Sequence, residues 1–378
     1  MSAVTEDEVR EALASVNDPE IKRPITELGM VEAVDIDGDT VTVHLLLTVA
    51  GCPLKDTLNR DITAAVATVA PDHQTVVDMG VMSDEQRKDM QQQLRGNRTE
   101  REIPFAQPGS LTKIFAIASG KGGVGKSSVT VNLALAMAER DLKVGIIDAD
   151  IYGHSIPDML GVGDLRPTQV EDMIMPVPVK GIQVISIGML KERRNQVVAW
   201  RGPMLDRALV QMLSDVYWGD LDILLLDLPP GTGDMAISLG QHLPNAEVLV
   251  VTTPQPAAAI VAERAGTMAS MMHQRVVGIV ENMSYLTTPS GDRMEIFGSG
   301  GAATVAETLS GRFGYDVPVI GSIPLDEKLR EGGDIGEPIV VTDPDSEAAK
   351  VLRGVADRLS GRSRGLAGMQ LGLSPAGK

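Results

Sequence analysis

The chain has 378 residues, 43% of them hydrophobic, and a formal net charge of −17. The length suggests two domains, and the apolar content is enough for an ordinary buried core. The acidity excludes a broad nucleic-acid face, which needs clustered Lys and Arg. Four Phe, four Tyr and two Trp leave the core to aliphatic residues and Met. One cysteine cannot make an internal disulfide, which points to a reducing, cytoplasmic setting. The start "MSAVTEDEVREAL" has no apolar signal-peptide core, and no run approaches the roughly 18 apolar residues of a membrane span. Neither a membrane nor a nucleic acid is therefore expected as a partner.

In chain order, "TEDEVREALASV" predicts a helix, with Thr5 and Glu8 as a capping box and Val9, Leu13 and Val16 as its apolar stripe. "VEAVDIDGDTVTVHLLLTV" predicts two strands around Asp37-Gly38-Asp39. "PLKDTLNRDITAAVATVA" predicts a second helix with Pro53 at its first position, and "HQTVVDMGVM" a further strand. Residues 1–83 thus form a small α/β domain, and its acidic surface would also suit a basic partner. Residues 84–110 are polar and Gln-rich and are expected as a linker whose first half is helical. The sequence from 361 to 378 is rich in Gly and Ser and is expected as a mobile tail.

Residues 111–360 are different. Continuous apolar runs such as "IFAIAS", "KVGIID", "IQVISIG", "DILLLDLP", "VLVVTTP", "VVGIVENM" and "VPVIGSIP" alternate with helix-length segments. That pattern predicts an α/β fold, a doubly wound and mostly parallel sheet covered on both faces. Ligands on such sheets bind at the carboxyl ends of strands.

"IFAIASGKGGVGKSSVTVNLALA" places a phosphate loop between a strand and a helix. The loop is Gly120, Lys121, Gly122, Gly123, Val124, Gly125, Lys126, Ser127 and Ser128. Its glycines let backbone N–H groups face phosphate, and the following helix adds its positive end. Lys126 neutralises the β- and γ-phosphates, and the Ser127 hydroxyl is a ligand for Mg²⁺. ATP and Mg²⁺ are the cofactors so implied. "VGIIDADIYG" and "DILLLDLPPGTGD" end strands in Asp148, Asp150 and Asp227.

The form "KGGVGKS", with its second lysine, resembles the MinD/ParA/nitrogenase-iron-protein group of ATPases. That resemblance implies a homodimer closing face to face over ATP, with Lys121 reaching the partner's nucleotide. It implies that Asp150 orients the attacking water, Asp148 lies near Mg²⁺, and Asp227 holds Mg²⁺ through water. Pro229 to Gly233 would be a switch sensing the γ-phosphate, and Asn282 and Pro324 would contact adenine. Lys121, Lys126 and Asp150 are the implied catalytic residues.

"DADIYGHSIPDMLG", "WRGPML", "LLLDLPPGTGD", "VENMSY" and "EIFGSGGA" together resemble the Mrp/ApbC family of iron–sulfur cluster carrier ATPases. "DPEIKRPITELGMV" and "TVAGCP" resemble the small iron–sulfur-assembly domain found at the start of many such proteins. The family implies an ATP-hydrolysing carrier that gives clusters to apoproteins or works with assembly factors. The chain departs from it where a Cys-x-x-Cys usually holds a bridging cluster, because Thr287 and Ser290 occupy those positions. Hydroxyls are poor cluster ligands. Cys52, beside the predicted helix start, is then the one thiolate left for a cluster. His44, His73, His154, His242 and His273 are scattered without metal-ligand spacing. An ATP-gated assembly adaptor, or a positioning or regulatory ATPase of the MinD/ParA kind, would keep every nucleotide residue and need no cysteine.

Overall fold

The computed structural model describes residues 4–19, 21–48, 54–95, 102–151, 153, 155–191 and 202–361. The first elements are α1 (Glu6–Leu13), β1 (Val31–Asp37), β2 (Thr40–Leu47), α2 (Lys55–Val69), β3 (Gln74–Val81) and α3 (Asp84–Arg95). Next come β4 (Lys113–Ser119), α4 (Lys126–Ala138), β5 (Val144–Asp148), α5 (Ile156–Met159), β6 (Thr168–Val170), β7 (Met173–Met175), β8 (Val177–Val179), β9 (Ile182–Ser186) and α6 (Gly202–Ser214). The chain continues through β10 (Ile223–Asp227), α7 (Asp234–His242), β11 (Glu247–Thr252), α8 (Pro256–Met271), β12 (Val276–Glu281), β13 (Leu286–Thr287) and β14 (Arg293–Met294). It closes with α9 (Gly301–Phe313), β15 (Val319–Ser322), α10 (Glu327–Ile335), α11 (Ile339–Thr342) and α12 (Glu347–Ser360).

Contacts divide the chain into two units, the first made of Met1–Glu102, Pro167–Pro178 and Asp215–Gly219. Its first helix starts as the sequence predicts. Thr5 Oγ1 accepts from Glu8 N at 3.3 Å, and the Glu8 carboxylate accepts from Thr5 N at 2.9 Å. β1 and β2 pair antiparallel around the Asp37–Asp39 turn, whereas β2 and β3 pair parallel. A parallel pair needs a crossover, and α2 supplies it. Val9 and Leu13 of α1, Leu58 and Ile62 of α2, and Val41, Val43 and Leu45 of β2 form the core. Away from that core, His44 sits between two carboxylates, with Nε2 2.9 Å from Asp35 and Nδ1 3.1 Å from Asp78. The bond to Asp35 is the main cause raising its pKa above the ordinary value.

One expectation changes here, and one element was not foreseen. The helix at 84–95 is not linker: Met90 is buried in the core of this unit, and Arg87 Nε lies 3.4 Å from Glu171. The hairpin β6–β7, which strand patterning missed, also belongs to that core through Val170, Met173 and Met175. Its strands are three residues long, too short for a period of two to show. Ile174 N donates to Asp215 O, and Tyr217 N donates to Ile174 O, both at 2.8 Å.

The second unit is Ile103–Arg166, Val179–Ser214 and Asp220–Lys378. It begins with a 3₁₀ turn at Pro104–Ala106. The large sheet runs β15-β12-β11-β4-β10-β5-β9-β8, and every pair from β15 to β9 is parallel. β10 and β12 are buried at every residue, as strands covered on both faces must be. β10 is inserted between β4 and β5, so Asp227 lies level with Asp148 and Ile117. The fold is the expected α/β parallel sheet, and it gathers the ends of β4, β5 and β10. Among the described residues, no helix is long and apolar enough to cross a membrane.

Candidate functional site

The phosphate loop leaves β4 after Ser119 and enters α4 at Lys126. Gly123 and Gly125 have φ of +78° and +81°, a region in which a side chain is strained. A Cβ on Gly125 would lie 2.2 Å from Asn282 Nδ2. A Cβ on Gly120 would lie 2.2 Å from the carbonyl carbon of Val261 in α8. Glycine is needed at both places because the loop is pressed between Asn282 and the α8 backbone.

Lys126 Nζ donates to Asp227 Oδ2 at 2.6 Å. The Ser127 hydroxyl donates to the same oxygen at 2.6 Å, and Thr130 Oγ1 donates to Oδ1 at 2.7 Å. Lys126 and Asp227 are buried, so this is a desolvated ion pair supported by two further donors. Asp148 is also fully buried and accepts from Ser186 Oγ at 3.1 Å and from Asp150 N at 3.2 Å. Burial first, and then the charge of Asp227, push its carboxyl well above the usual range, while Lys126 pulls it down. Asp150 accepts from Gly153 N at 3.0 Å. Lys121 Nζ donates to Gln255 Oε1 at 3.0 Å. Gly231, in the "PPGTG" segment, donates its N–H to Ser119 O at 2.8 Å and so ties that segment to the end of β4.

These groups surround a cavity of about 710 Å³. Its walls include Lys121 through Ser128, Asp150, Pro229 and Pro230. Asp148 and Asp227 are buried behind this wall. Ser155, Met159, Gly202, Leu205 and Asp234 also line it, and the sequence reading missed them. The segments "SIPDML" and "RGPML" stood in the sequence, but nothing local to them points to phosphate. Neither Asn282 nor Pro324 is among the residues lining this cavity, and both are buried. Asn282 Nδ2 donates to Val124 O at 2.9 Å, so its amide is spent on shaping the loop, and its buried Oδ1 has no partner.

A glycine cradle at a helix N-terminus, a buried lysine and a hydroxyl–carboxylate pair suit a nucleoside triphosphate with a divalent cation. The model of the NUBPL iron-transfer P-loop NTPase family matches residues 110–360. The chain belongs to this family. Residues 6–79 match a second family, the iron–sulfur cluster assembly proteins.

Relatives match along nearly all of this chain's length. An iron–sulfur cluster carrier protein of Mycobacterium tuberculosis is 59% identical over 368 residues, covering 97% of this chain and 96% of that protein. One of Deinococcus radiodurans is 40% identical over 358 residues, covering 94% and 95%. Among solved structures, a nucleotide-binding protein of Archaeoglobus fulgidus in complex with ADP is 35% identical with a TM-score of 0.54. It covers 66% of this chain and 96% of that one.

In this chain, Thr287 and Ser290 lie on the β13–β14 hairpin, and both hydroxyls are engaged. Thr287 Oγ1 donates to Glu347 at 2.8 Å, and Ser290 Oγ donates to Asp292 at 2.8 Å. Glu347 also accepts from Tyr285 at 2.8 Å and from Arg293 at 2.9 Å. The bond from Tyr285, then that from Thr287, hold the Glu347 carboxyl below its ordinary range. Burial, then Glu347, push the Tyr285 phenol up to about 12. Oxygen donors fastened in this way do not suit an iron–sulfur cluster.

Cys52 and Pro53 lie outside the described residues, as does His154. α2 begins at Lys55 with Leu54 as its N-cap. Among the described residues, no group of three or more His, Cys, Asp or Glu could hold a metal ion.

Proposed function

We propose that this protein is an ATP-driven carrier of iron–sulfur clusters, working in the cytoplasm as a homodimer and delivering clusters to apoproteins. The observation that supports it most is the phosphate loop with its buried Lys126–Ser127–Asp227 constellation, in a chain of the iron-transfer family. Lys126 and the loop N–H groups would hold the phosphates of ATP, and Ser127 and Asp227 would hold Mg²⁺. Bound Mg²⁺ would neutralise charge developing on the phosphates. Lys126 would then give up its bond to Asp227 and turn to the β- and γ-phosphates. Asp150, which lines the cavity, would orient the attacking water, and the buried Asp148 would be an outer neighbour of the cation. Lys121 would act across the dimer on the partner's nucleotide.

The cluster is cargo. Thr287 and Ser290 offer no thiolate, so Cys52 is the only sulfur of this kind that the chain supplies. Two copies would bring two thiolates, and the remaining ligands must come from outside, from a donor, a client or a small thiol. The hydroxyls at 287 and 290 also favour a second reading, in which ATP gates docking between cluster donors and clients and no cluster rests on the chain.

Anaerobic reconstitution with iron and sulfide, with and without Cys52→Ala, separates the two. Iron bound and passed to an apoprotein by the parent, and lost in the variant, supports the carrier. ATP-dependent capture of a client by the Cys52→Ala protein, with no bound iron in either form, supports the adaptor. Failure of both refutes the proposal.

A further inference from the structure

Gln255 is not among the residues lining the cavity, yet it holds Lys121, which is. Gln255 ends the turn between β11 and α8 and is the N-cap residue of α8, but its side chain does not cap the helix. Its Oε1 instead accepts two hydrogen bonds, from Lys121 Nζ at 3.0 Å and from Thr253 Oγ1 at 2.8 Å. Two donors on one atom identify it as the amide oxygen. The turn cannot drift away from the loop. Gly120 is pressed on the α8 backbone at Val261, and a Cβ on Gly301 would lie 2.6 Å from Pro254 O. The loop packs on α8 and the start of α9 packs on the turn, so the acceptor stands at a fixed distance from Lys121.

We propose that Gln255 is the positioning residue of Lys121. It keeps the second loop lysine inside its own subunit until a nucleotide-bearing partner offers a stronger anion. This rests on the reading of Lys121 as a group acting across the dimer. A neutral amide is the right strength of holder. Its hydrogen bond to an ammonium fixes direction, yet a phosphate outcompetes it because the phosphate adds the Coulomb attraction of a full negative charge, which a neutral amide lacks. A carboxylate at the same place would hold the lysine back, and an apolar side chain would let it go. Gln255 therefore sets the threshold at which two nucleotide-loaded subunits join.

The test uses two near-isosteric variants of the full chain, Gln255→Glu and Gln255→Met. Sedimentation velocity with a non-hydrolysable ATP analogue and Mg²⁺ gives the dimer dissociation constant of each. Gln255→Glu should raise it about tenfold, the size expected when a neutral acceptor becomes a charged one. Gln255→Met should lower it several-fold, and ADP affinity should stay within about twofold in both. A merely structural role would shift both variants the same way. Shifts in one direction, or none, overturn the proposal. Lys121→Ala tests the reading beneath it: ATP-dependent dimerisation like that of the parent would remove the cross-subunit role, and Gln255's role with it. Loss of dimerisation in Lys121→Ala, together with unresponsive Gln255 variants, would overturn the Gln255 assignment alone.

Discussion

Replacing Gly125 by alanine should cost far more than the same change two residues earlier. Both glycines are left-handed, at φ +81° and +78°, and an L-residue there costs about 1 kcal/mol. At Gly123 nothing lies within 4 Å of the new methyl, so that cost stands alone. At Gly125 the methyl would fall 2.2 Å from Asn282 Nδ2. Asn282 must move, which breaks its 2.9 Å bond to Val124 O and leaves that carbonyl without its donor. An unmet buried group costs about 1–3 kcal/mol. Gly125→Ala should therefore destabilise the phosphate-loop unit by about 3 kcal/mol and Gly123→Ala by about 1 kcal/mol. The gap, about 2 kcal/mol, is roughly a 30-fold difference in folding equilibrium. Urea unfolding followed by circular dichroism, compared at equal slope, measures it. Adding Asn282→Ala to Gly125→Ala should cost less than the sum of the two changes, because the clash is then gone. Equal losses for Gly123→Ala and Gly125→Ala would refute Asn282 as the strut of the loop.

Lys126→Met keeps the side-chain stem but leaves Asp227 buried without its cation. With the Ser127 and Thr130 hydroxyls still donating, the loss should fall near the lower end of the range for a broken buried pair, about 3 kcal/mol. ATP binding should be abolished, and isothermal titration showing normal affinity would discard the site assignment. His44 gives the pH prediction. Its pKa is raised in the folded protein, so its contribution to stability is complete below the ordinary value of 6.5. That contribution is lost as pH rises through the folded value. His44→Gln should flatten that slope in thermal melts between about pH 6 and 8, and an NMR titration of His44 at or below the ordinary value would refute the clasp with Asp35 and Asp78.

The large sheet was legible because its strands are unbroken apolar runs, and the phosphate loop because its glycines and lysines are local in sequence. Asp227 and Asp148 could be read as strand ends, and the register between β10 and β5 sets them level. What stayed hidden depends on distant chain. Gly202 and Asp234 meet at the cavity only after α6 and α7 have packed. A Cβ on Gly202 would lie 2.8 Å from Asp234 Oδ2, so the two residues are close neighbours. Asn282 ends a late strand, and its amide reaches a loop 158 residues earlier in the chain, a contact no local pattern announces. The hairpin β6–β7 carries Met173 and Met175, whose burial is decided by a core assembled from residues before Glu102.

That hairpin also orders events during synthesis. The first 102 residues leave the ribosome well before Pro167–Pro178 and Asp215–Gly219, which complete the same unit. Until Met175 has been made, the apolar faces that Val170, Met173 and Met175 finally cover have no lid. The amino-terminal unit is thus begun first and finished only after the phosphate loop has been translated. A fragment cut at its apparent linker would be left with an open core, prone to aggregate rather than to stand alone.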